Sequence, residues 1–227
     1  MPPLLVSPIE GHRIWSASYD DDPNPLLALG MRVLSERLGP VHGLRVIDVA
    51  CGTGRWMSAA LSDGANTIGI DLCDEMLAAA ARKPALKGCL ALAQADQLPF
   101  ANGGADLVLC SFAMSYFPSA SGAIAEMARV TRRGGRVVVA DLHPGANEAG
   151  WKRAFRSNDS VYEIEHHSHS VAYLEAAAEQ AALEQVWQTD AHFGAPEREI
   201  FQKAGKDSVF AQASSIPALS VICWKKL

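Results

Sequence analysis

The chain has 227 residues, of which 49% are hydrophobic and 20% are charged, so it can bury one substantial core. Its formal net charge is −5 and no stretch is strongly basic, which argues against a nucleic-acid partner. The start lacks a basic, apolar leader, and no apolar run approaches the ~20 residues of a membrane span. We therefore expect a cytoplasmic protein with no membrane partner. Five scattered cysteines without a CxxC pair predict neither a disulfide framework nor a metal site.

The first 25 residues are rich in Pro and Asp, which predicts an irregular segment. A helix is predicted over residues 26–38, because its apolar residues fall on one stripe and Gly39-Pro40 follows as a stop. We expect residues 1–40 to form an N-terminal lid and helical segment. Residues 41–227 are expected to form a single α/β domain.

Strands and helices alternate from residue 45 onwards, which predicts a doubly wound parallel sheet with right-handed crossovers. Two later strands, 183–192 and 218–224, follow a helix over 170–182 and complete a mostly parallel seven-stranded, Rossmann-like sheet. An insertion at about 144–170 is expected to cover the active site. The first five strands are predicted over 45–50, 66–70, 89–94, 105–111 and 136–142, and the helices between them over 56–62, 74–82 and 119–133.

A glycine loop, Gly52-Thr53-Gly54, directly follows the first predicted strand. Glycine has no Cβ, so the backbone can pass close to a ligand, and ligands of open α/β sheets lie beyond the carboxyl ends of the strands. The loop does not complete a dinucleotide fingerprint, because Trp56 and Met57 stand where a third small residue is required. Asp48, at the end of the strand, repels a pyrophosphate but suits an ammonium group. A nicotinamide oxidoreductase is therefore disfavoured.

Acidic residues also follow the next two strands. Asp71 ends the second strand, where a carboxylate can accept hydrogen bonds from both hydroxyls of a ribose. Asp96 follows the third strand and can accept a hydrogen bond from an adenine amino group, while Leu72 and Met76 supply apolar surface for the ring. Either carboxylate alone is equally well explained as a helix cap or a turn residue. Together with the glycine loop, they predict a site for an adenosine-containing cofactor.

This combination resembles the class I methyltransferases that depend on S-adenosylmethionine (SAM), in the branch that acts on quinones and secondary metabolites. The resemblance runs over about residues 45–144, and one departure is Ala50, where many members have Gly. The segment with Tyr19 and Asp20 resembles a family lid in which the Tyr closes over SAM. The cofactor-binding residues that the resemblance implies are Tyr19, Asp48, Ala50, Gly52, Gly54, Asp71, Leu72, Met76, Asp96, Gln97 and Ser111.

The implied reaction moves a methyl group from SAM to an O, N or C atom of a small, apolar or aromatic acceptor, with S-adenosylhomocysteine (SAH) as product. A general base is needed only if the acceptor carries a proton that must leave. His143 follows the fifth strand and titrates near neutral pH, so it is the first candidate for a base or substrate anchor. Tyr116, after the fourth strand, and His166, in the insertion, are the other catalytic candidates. Each has an ordinary alternative, as a packing or surface residue.

Two other functions remain open. The same fold can bind SAM or SAH and catalyse a cyclisation or an elimination, or it can bind SAM without catalysis. Retention of Asp48, Gly52, Gly54, Asp71 and Asp96 argues against a decayed, non-catalytic site. The three histidines at 166, 167 and 169 match no zinc motif. The sequence permits a monomer or a homodimer.

Overall fold

The computed structural model describes residues 2–227. The strands are β1 (Leu4–Val6), β2 (Arg45–Val49), β3 (Asn66–Asp71), β4 (Leu90–Leu92), β5 (Ala105–Ser111), β6 (Thr131–Leu142), β7 (Ala154–Ser157), β8 (Ser160–Ile164), β9 (Leu183–Ala191) and β10 (Leu219–Lys226). The helices are α1 (Pro8–Trp15), α2 (Pro25–Leu38), α3 (Arg55–Ser62), α4 (Asp74–Ala81), α5 (Ala120–Val130), α6 (Pro144–Glu148), α7 (Val171–Gln180), α8 (Ala195–Lys203) and α9 (Asp207–Ser214). Within residues 2–227, no helix is both long and apolar enough to cross a membrane.

Seven strands form the main sheet in the order β4-β3-β2-β5-β6-β10-β9. The pairs from β4 to β6 are parallel, and β10 runs antiparallel to both β6 and β9. The chain runs outwards from β2 through β3 to β4 and then returns past β2 to form β5. The strand order therefore reverses between β2 and β5, and the carboxyl ends of β2, β3 and β5 converge there. The predicted fold class, a mostly parallel seven-stranded α/β sheet, is confirmed.

Helices cover both faces of this sheet. On one face α2 buries Leu29 and Leu34 completely, and on the other α5 buries Ile124 and Met127. Each such side chain contributes roughly 1.5–3 kcal/mol when it leaves water. Residues of β2 and β5 pack into both cores, so the two cores fix the position of the strand ends that form the site.

The N-terminal segment is regular, contrary to the prediction. Pro8 is the first residue of α1, where its missing N–H costs nothing and its fixed φ suits the helix. Ser7 caps the helix, because its hydroxyl accepts a hydrogen bond from the Glu10 N–H at 3.3 Å. Prolines that were expected to prevent regular structure therefore mark where a helix begins.

β1 joins the insertion to form a second, three-stranded sheet in the order β1-β8-β7. β1 runs parallel to β8, with Val6 opposite Ile164, and β7 and β8 form an antiparallel hairpin. Asn158 and Asp159 form its turn with φ of 46° and 61°, as a right-handed twisted hairpin requires. α1 packs so closely on this sheet that a Cβ added to Gly11 would lie 2.7 Å from the Ile164 side chain. We call β1, α1, β7 and β8 the cap.

Two further boundaries differ from the prediction. α5 ends at Val130 and β6 already begins at Thr131, because this strand pairs with β5 from Ala105 onwards. The stretch expected to be a loop between the last two strands contains α8 and α9. Glu197 of α8 is 1% exposed and accepts hydrogen bonds from Arg32 of α2, which fixes α8 against the sheet's helical layer.

Candidate functional site

A cavity of about 570 Å³ lies between the carboxyl ends of the central strands and the cap. Its floor comes from the residues that end or follow β2, β3 and β5, and one side comes from the loop after β4. Its roof comes from α1, from Tyr19 and from the segment after β5. The volume is within the range of small-molecule sites.

The glycine loop uses its two glycines differently. Gly52 lines the cavity with φ of 55°, and a Cβ added there would meet no atom within 4 Å, so its backbone faces open space. Gly54 has φ of 71° at the start of α3, and an added Cβ would lie 2.3 Å from Cδ1 of Leu86. Gly52 therefore exposes backbone to a ligand, whereas Gly54 lets α3 pack closely on the turn around Leu86. Gly54 does not line the cavity.

Asp71 lines the cavity at the end of β3 and holds the glycine loop in place. One carboxylate oxygen accepts a hydrogen bond from the Gly52 N–H at 2.7 Å, and the other accepts one from the Cys73 N–H at 2.9 Å. Burial raises the pKa of Asp71, and these two hydrogen bonds partly oppose that rise. Each oxygen retains a free lone pair, so the carboxylate can still accept hydrogen bonds from a ligand.

Asp48 is buried at the end of β2, two residues before Ala50, which lines the cavity. Asp48 is 3% exposed and, unlike Ala50, does not itself line the cavity. Burial, and then the nearby charge of Asp71, raises the pKa of Asp48 to about 8. A buried carboxylate of this kind favours a cationic ligand group nearby, because the cation stabilises its charged form.

The part of the floor that follows β3 and β4 combines apolar side chains with one carboxylate. Leu72 is 46% exposed and Met76 is buried in α4, and both line the cavity beside the exposed Asp96. Ser111 lines it from the end of β5. Gln97 does not.

A carboxylate fastens the roof to the glycine loop. Asp20 accepts hydrogen bonds from Thr53 Oγ1 at 2.8 Å and Arg55 Nη2 at 3.2 Å, and its other oxygen lies 2.8 Å from Lys83 Nζ. Burial opposes ionisation of Asp20, but the hydrogen bonds from Lys83 and Thr53 outweigh it and lower its pKa. These contacts hold the preceding residue, Tyr19, in the cavity wall.

Of the three catalytic candidates, the structure brings only Tyr116 into the cavity. His143 instead caps α6: its Nδ1 accepts a hydrogen bond from the Gly145 N–H at 2.9 Å, and its Nε2 lies 3.6 Å from Asp190. This position follows from the sequence His143-Pro144, in which the Pro begins a helix and the preceding residue becomes its cap. The geometry therefore does not support a base or anchor role for His143.

His166 also lies outside the cavity. Its Nδ1 is 3.1 Å from the Ile164 carbonyl and its Nε2 is 3.2 Å from Asn147 Oδ1, so both ring nitrogens are engaged. These contacts join the end of β8 to α6. His166 therefore joins two parts of the insertion, and the geometry does not support a catalytic role for it.

Two residues at or beside the cavity were missed by the sequence analysis. His12 of α1 lines the cavity, and its ring packs edge-on against the Tyr116 ring with centroids 4.8 Å apart. Arg153, before β7, is buried behind Tyr116; its guanidinium carbon lies 5.3 Å from that ring's centroid, and it pairs with Asp141. The one available signal was the spacing of His12, Trp15 and Tyr19, which places three rings on one face of a helical segment.

The sheet order, the glycine loop after β2 and the carboxylate at the end of β3 together define a class I methyltransferase fold. Residues 47–139 match the sequence model of a family described as "Methyltransferase domain". This match agrees with the resemblance that the motifs predicted.

Several similar proteins are methyltransferases. A demethylmenaquinone methyltransferase of Beutenbergia cavernae is 38% identical over 54% of this chain and 52% of its own length. A malonyl-[acyl-carrier protein] O-methyltransferase of Erwinia pyrifoliae is 32% identical over 62% of this chain and 54% of its own length. The chain therefore spans about half the length of these relatives. A SAM-dependent methyltransferase structure from Mesorhizobium loti shares the fold at 18% identity, with a TM-score of 0.69 over 89% of this chain and all of its own.

Proposed function

We propose that this chain is a SAM-dependent methyltransferase that acts on a small, apolar or aromatic molecule. The observation that carries the proposal is the single cavity in which a nucleotide-type floor faces an aromatic roof. The floor offers Gly52 and Asp71, and the roof offers Tyr19 and Tyr116.

The residues of the floor fit SAM. The open space at Gly52 admits a ligand against the backbone, and Asp71 can accept hydrogen bonds from ribose hydroxyls. Leu72 and Met76 provide a surface for an adenine ring, with Asp96 at its edge. Asp48, buried two residues before the cavity-lining Ala50, can stabilise an ammonium group when it is ionised. When bound, SAM supplies an electrophilic methyl group on a positively charged sulfur.

The other residues bind and orient the acceptor. Tyr19, Tyr116 and Phe112 form apolar walls that exclude water, and Arg153 stabilises Tyr116 from behind. Orientation of this kind can supply roughly 7–11 kcal/mol of a barrier without a dedicated catalytic group. We also propose that residues 1–40 and the insertion at about 144–170 act together as the cover of the site. The cavity walls belong to one chain, which is compatible with work as a monomer or a homodimer in the cytoplasm.

Calorimetric titration with SAM, SAH and NAD tests the binding step. We expect saturable binding of SAM and SAH and none of NAD, once co-purified SAH has been excluded by mass spectrometry. Incubation with SAM and candidate acceptors then tests the transfer, because a methyltransferase releases SAH in equal amount with a methylated product. A product formed without SAH release would replace methyl transfer by cyclisation or elimination.

A further inference from the structure

His12 is the one imidazole that lines the described cavity. Its Nδ1 lies 2.7 Å from the Pro8 carbonyl oxygen, an atom that can only accept a hydrogen bond. In the neutral ring Nδ1 therefore carries the proton, and Nε2 carries a free lone pair. Nε2 has no partner among residues 2–227.

The surroundings keep this ring neutral. Burial lowers the pKa of His12 below its ordinary value, against the hydrogen bond to Pro8 and the charge of Asp71. The buried cation of Arg153 acts in the same direction as burial, and Tyr19 and Tyr116 are the other titratable groups whose rings lie near it. His12 is thus available as a base at neutral pH.

The charges around the cavity restrict what can bind beside His12. Within residues 2–227, the charged side chains that line it are the carboxylates Asp71 and Asp96, with no Lys or Arg. The nearest buried cation, Arg153, is already paired with Asp141, which also accepts a hydrogen bond from the Ser115 N–H at 2.7 Å. A carboxylate or phosphate on the acceptor would find no counter-charge and would be costly to bury.

We propose that the acceptor is a neutral ring compound with a hydroxyl group, and that His12 removes the proton of this hydroxyl while its oxygen is methylated. This inference rests on the proposed function. The rings of Tyr19 and Tyr116 lie beside His12, and Phe112 also lines the cavity. These aromatic walls fit a flat, apolar molecule.

The step balances as follows. The acceptor oxygen forms a bond to the methyl carbon, the carbon–sulfur bond breaks, and its electron pair stays on sulfur, which gives neutral SAH. The hydroxyl proton moves to Nε2 of His12. The resulting imidazolium carries the charge that the sulfur has lost, and it returns to neutrality by giving the proton to water.

The state of His12 is measured directly by ¹⁵N NMR of the labelled protein in complex with SAH at pH 7. Two-bond ¹⁵N–¹H couplings separate the two neutral tautomers and the imidazolium, and His12→Asn assigns the signal. We expect a neutral ring with its proton on Nδ1. An imidazolium, or a ring protonated at Nε2, would overturn the proposal.

Three probes with one ring system and different head groups measure the acceptor class: 1-naphthol, 1-naphthoate and 1-naphthyl phosphate. Titrated into the SAH complex, naphthol should bind about tenfold or more tightly than either anion, because the anions stay unpaired. His12→Asn preserves a donor near Pro8 but removes the Nε2 acceptor, so naphthol affinity should fall about tenfold. The matched control is His192→Asn, whose ring also contacts a carbonyl, that of Ser214, on the exposed surface; it should change affinity less than about twofold.

The remaining outcomes separate the two proposals. Anions that bind as well as naphthol, an unchanged affinity in His12→Asn, or no naphthol binding by a protein that binds SAH would each overturn the hydroxyl proposal alone. Failure to bind SAM and SAH would overturn the proposed function itself. With SAM, the wild type should form 1-methoxynaphthalene and SAH, and His12→Asn should slow this by about 100-fold or more.

Discussion

The floor and the roof of the cavity differ in how the sequence builds them. The floor consists of residues that directly follow parallel strands, such as Gly52 after β2 and Asp71 at the end of β3. The roof is assembled from distant segments: His12 and Tyr19 come from the N-terminal part, and Tyr116 comes from the segment after β5. Arg153 of the insertion supports Tyr116 from behind. The floor carries carboxylates, whereas the roof carries rings. We infer that the floor is the fixed, cofactor-binding side of the cavity. The roof is the acceptor side, and its specificity depends on how distant segments pack together.

The largest expected effect lies in the floor. Asp71→Ala removes the acceptor of the proposed ribose hydrogen bonds and also the bond that holds the Gly52 N–H. Two lost charge-assisted hydrogen bonds should weaken SAM binding by about 100-fold in a calorimetric titration. Asp74→Ala is the control, because this carboxylate lies in the first turn of α4 outside the cavity. An unchanged SAM affinity in Asp71→Ala would remove Asp71 from the ribose role.

The difference between the two regions also explains what the sequence could predict. A carboxylate at a strand end in an α/β sheet has its position fixed by local order, so Asp71 could be assigned to the floor without a structure. The position of His12 depends instead on β1 pairing with β8, where Val6 lies opposite Ile164. No local pattern specifies that pairing. His143 shows that a strand-end position can also mislead. Its position after the fifth predicted strand predicted a ligand contact, but its side chain caps α6 by accepting a hydrogen bond from the Gly145 N–H.

The second prediction concerns the junction between floor and roof. Asp20→Ala removes the contacts to Thr53, Arg55 and Lys83 that hold Tyr19 over the cavity. If the roof covers bound SAM, its dissociation rate should rise about tenfold in a stopped-flow displacement experiment. The adjacent Asp21→Ala is the control, since that carboxylate is exposed. Equal dissociation rates in the two variants would show that the roof does not retain the cofactor.

A third prediction tests how rigidly the roof's inner wall is supported. A Cβ added to Gly30 in α2 would lie 2.5 Å from Cε2 of Phe112, whose ring has Arg153 near its face. Alanine ordinarily stabilises a helix by about 1 kcal/mol over glycine, but overpacking costs about 1–3 kcal/mol. We therefore expect Gly30→Ala to lower the free energy of unfolding by about 1 kcal/mol in a denaturant titration. Gly122→Ala in α5 is the control: the atom nearest to its added Cβ is 3.3 Å away, so this variant should be as stable as the wild type or more stable. If both variants gained stability equally, the Phe112 side chain would be able to move aside without cost.

The smallest expected effect is a pH dependence of SAM affinity that arises from Asp48, which is buried next to the floor. The pKa of Asp48 is about 8 in the free protein, so this carboxyl is mostly protonated at pH 7. An ammonium group nearby favours the charged form, so SAM binding should release a proton, and SAM affinity should rise about threefold from pH 6.5 to 7.5.

The same raised pKa has the opposite sign for stability. A carboxyl that ionises less readily in the folded chain favours folding at low pH, and this contribution is lost as pH rises through about 8. Asp48→Asn has no such ionisation, so the free variant should be more stable than the wild type at pH 8, while its SAM affinity should be lower and should no longer increase with pH. Calorimetry in two buffers of different ionisation enthalpy measures the released proton. Proton release that persists in Asp48→Asn would assign it to Asp71, whose pKa burial also raises.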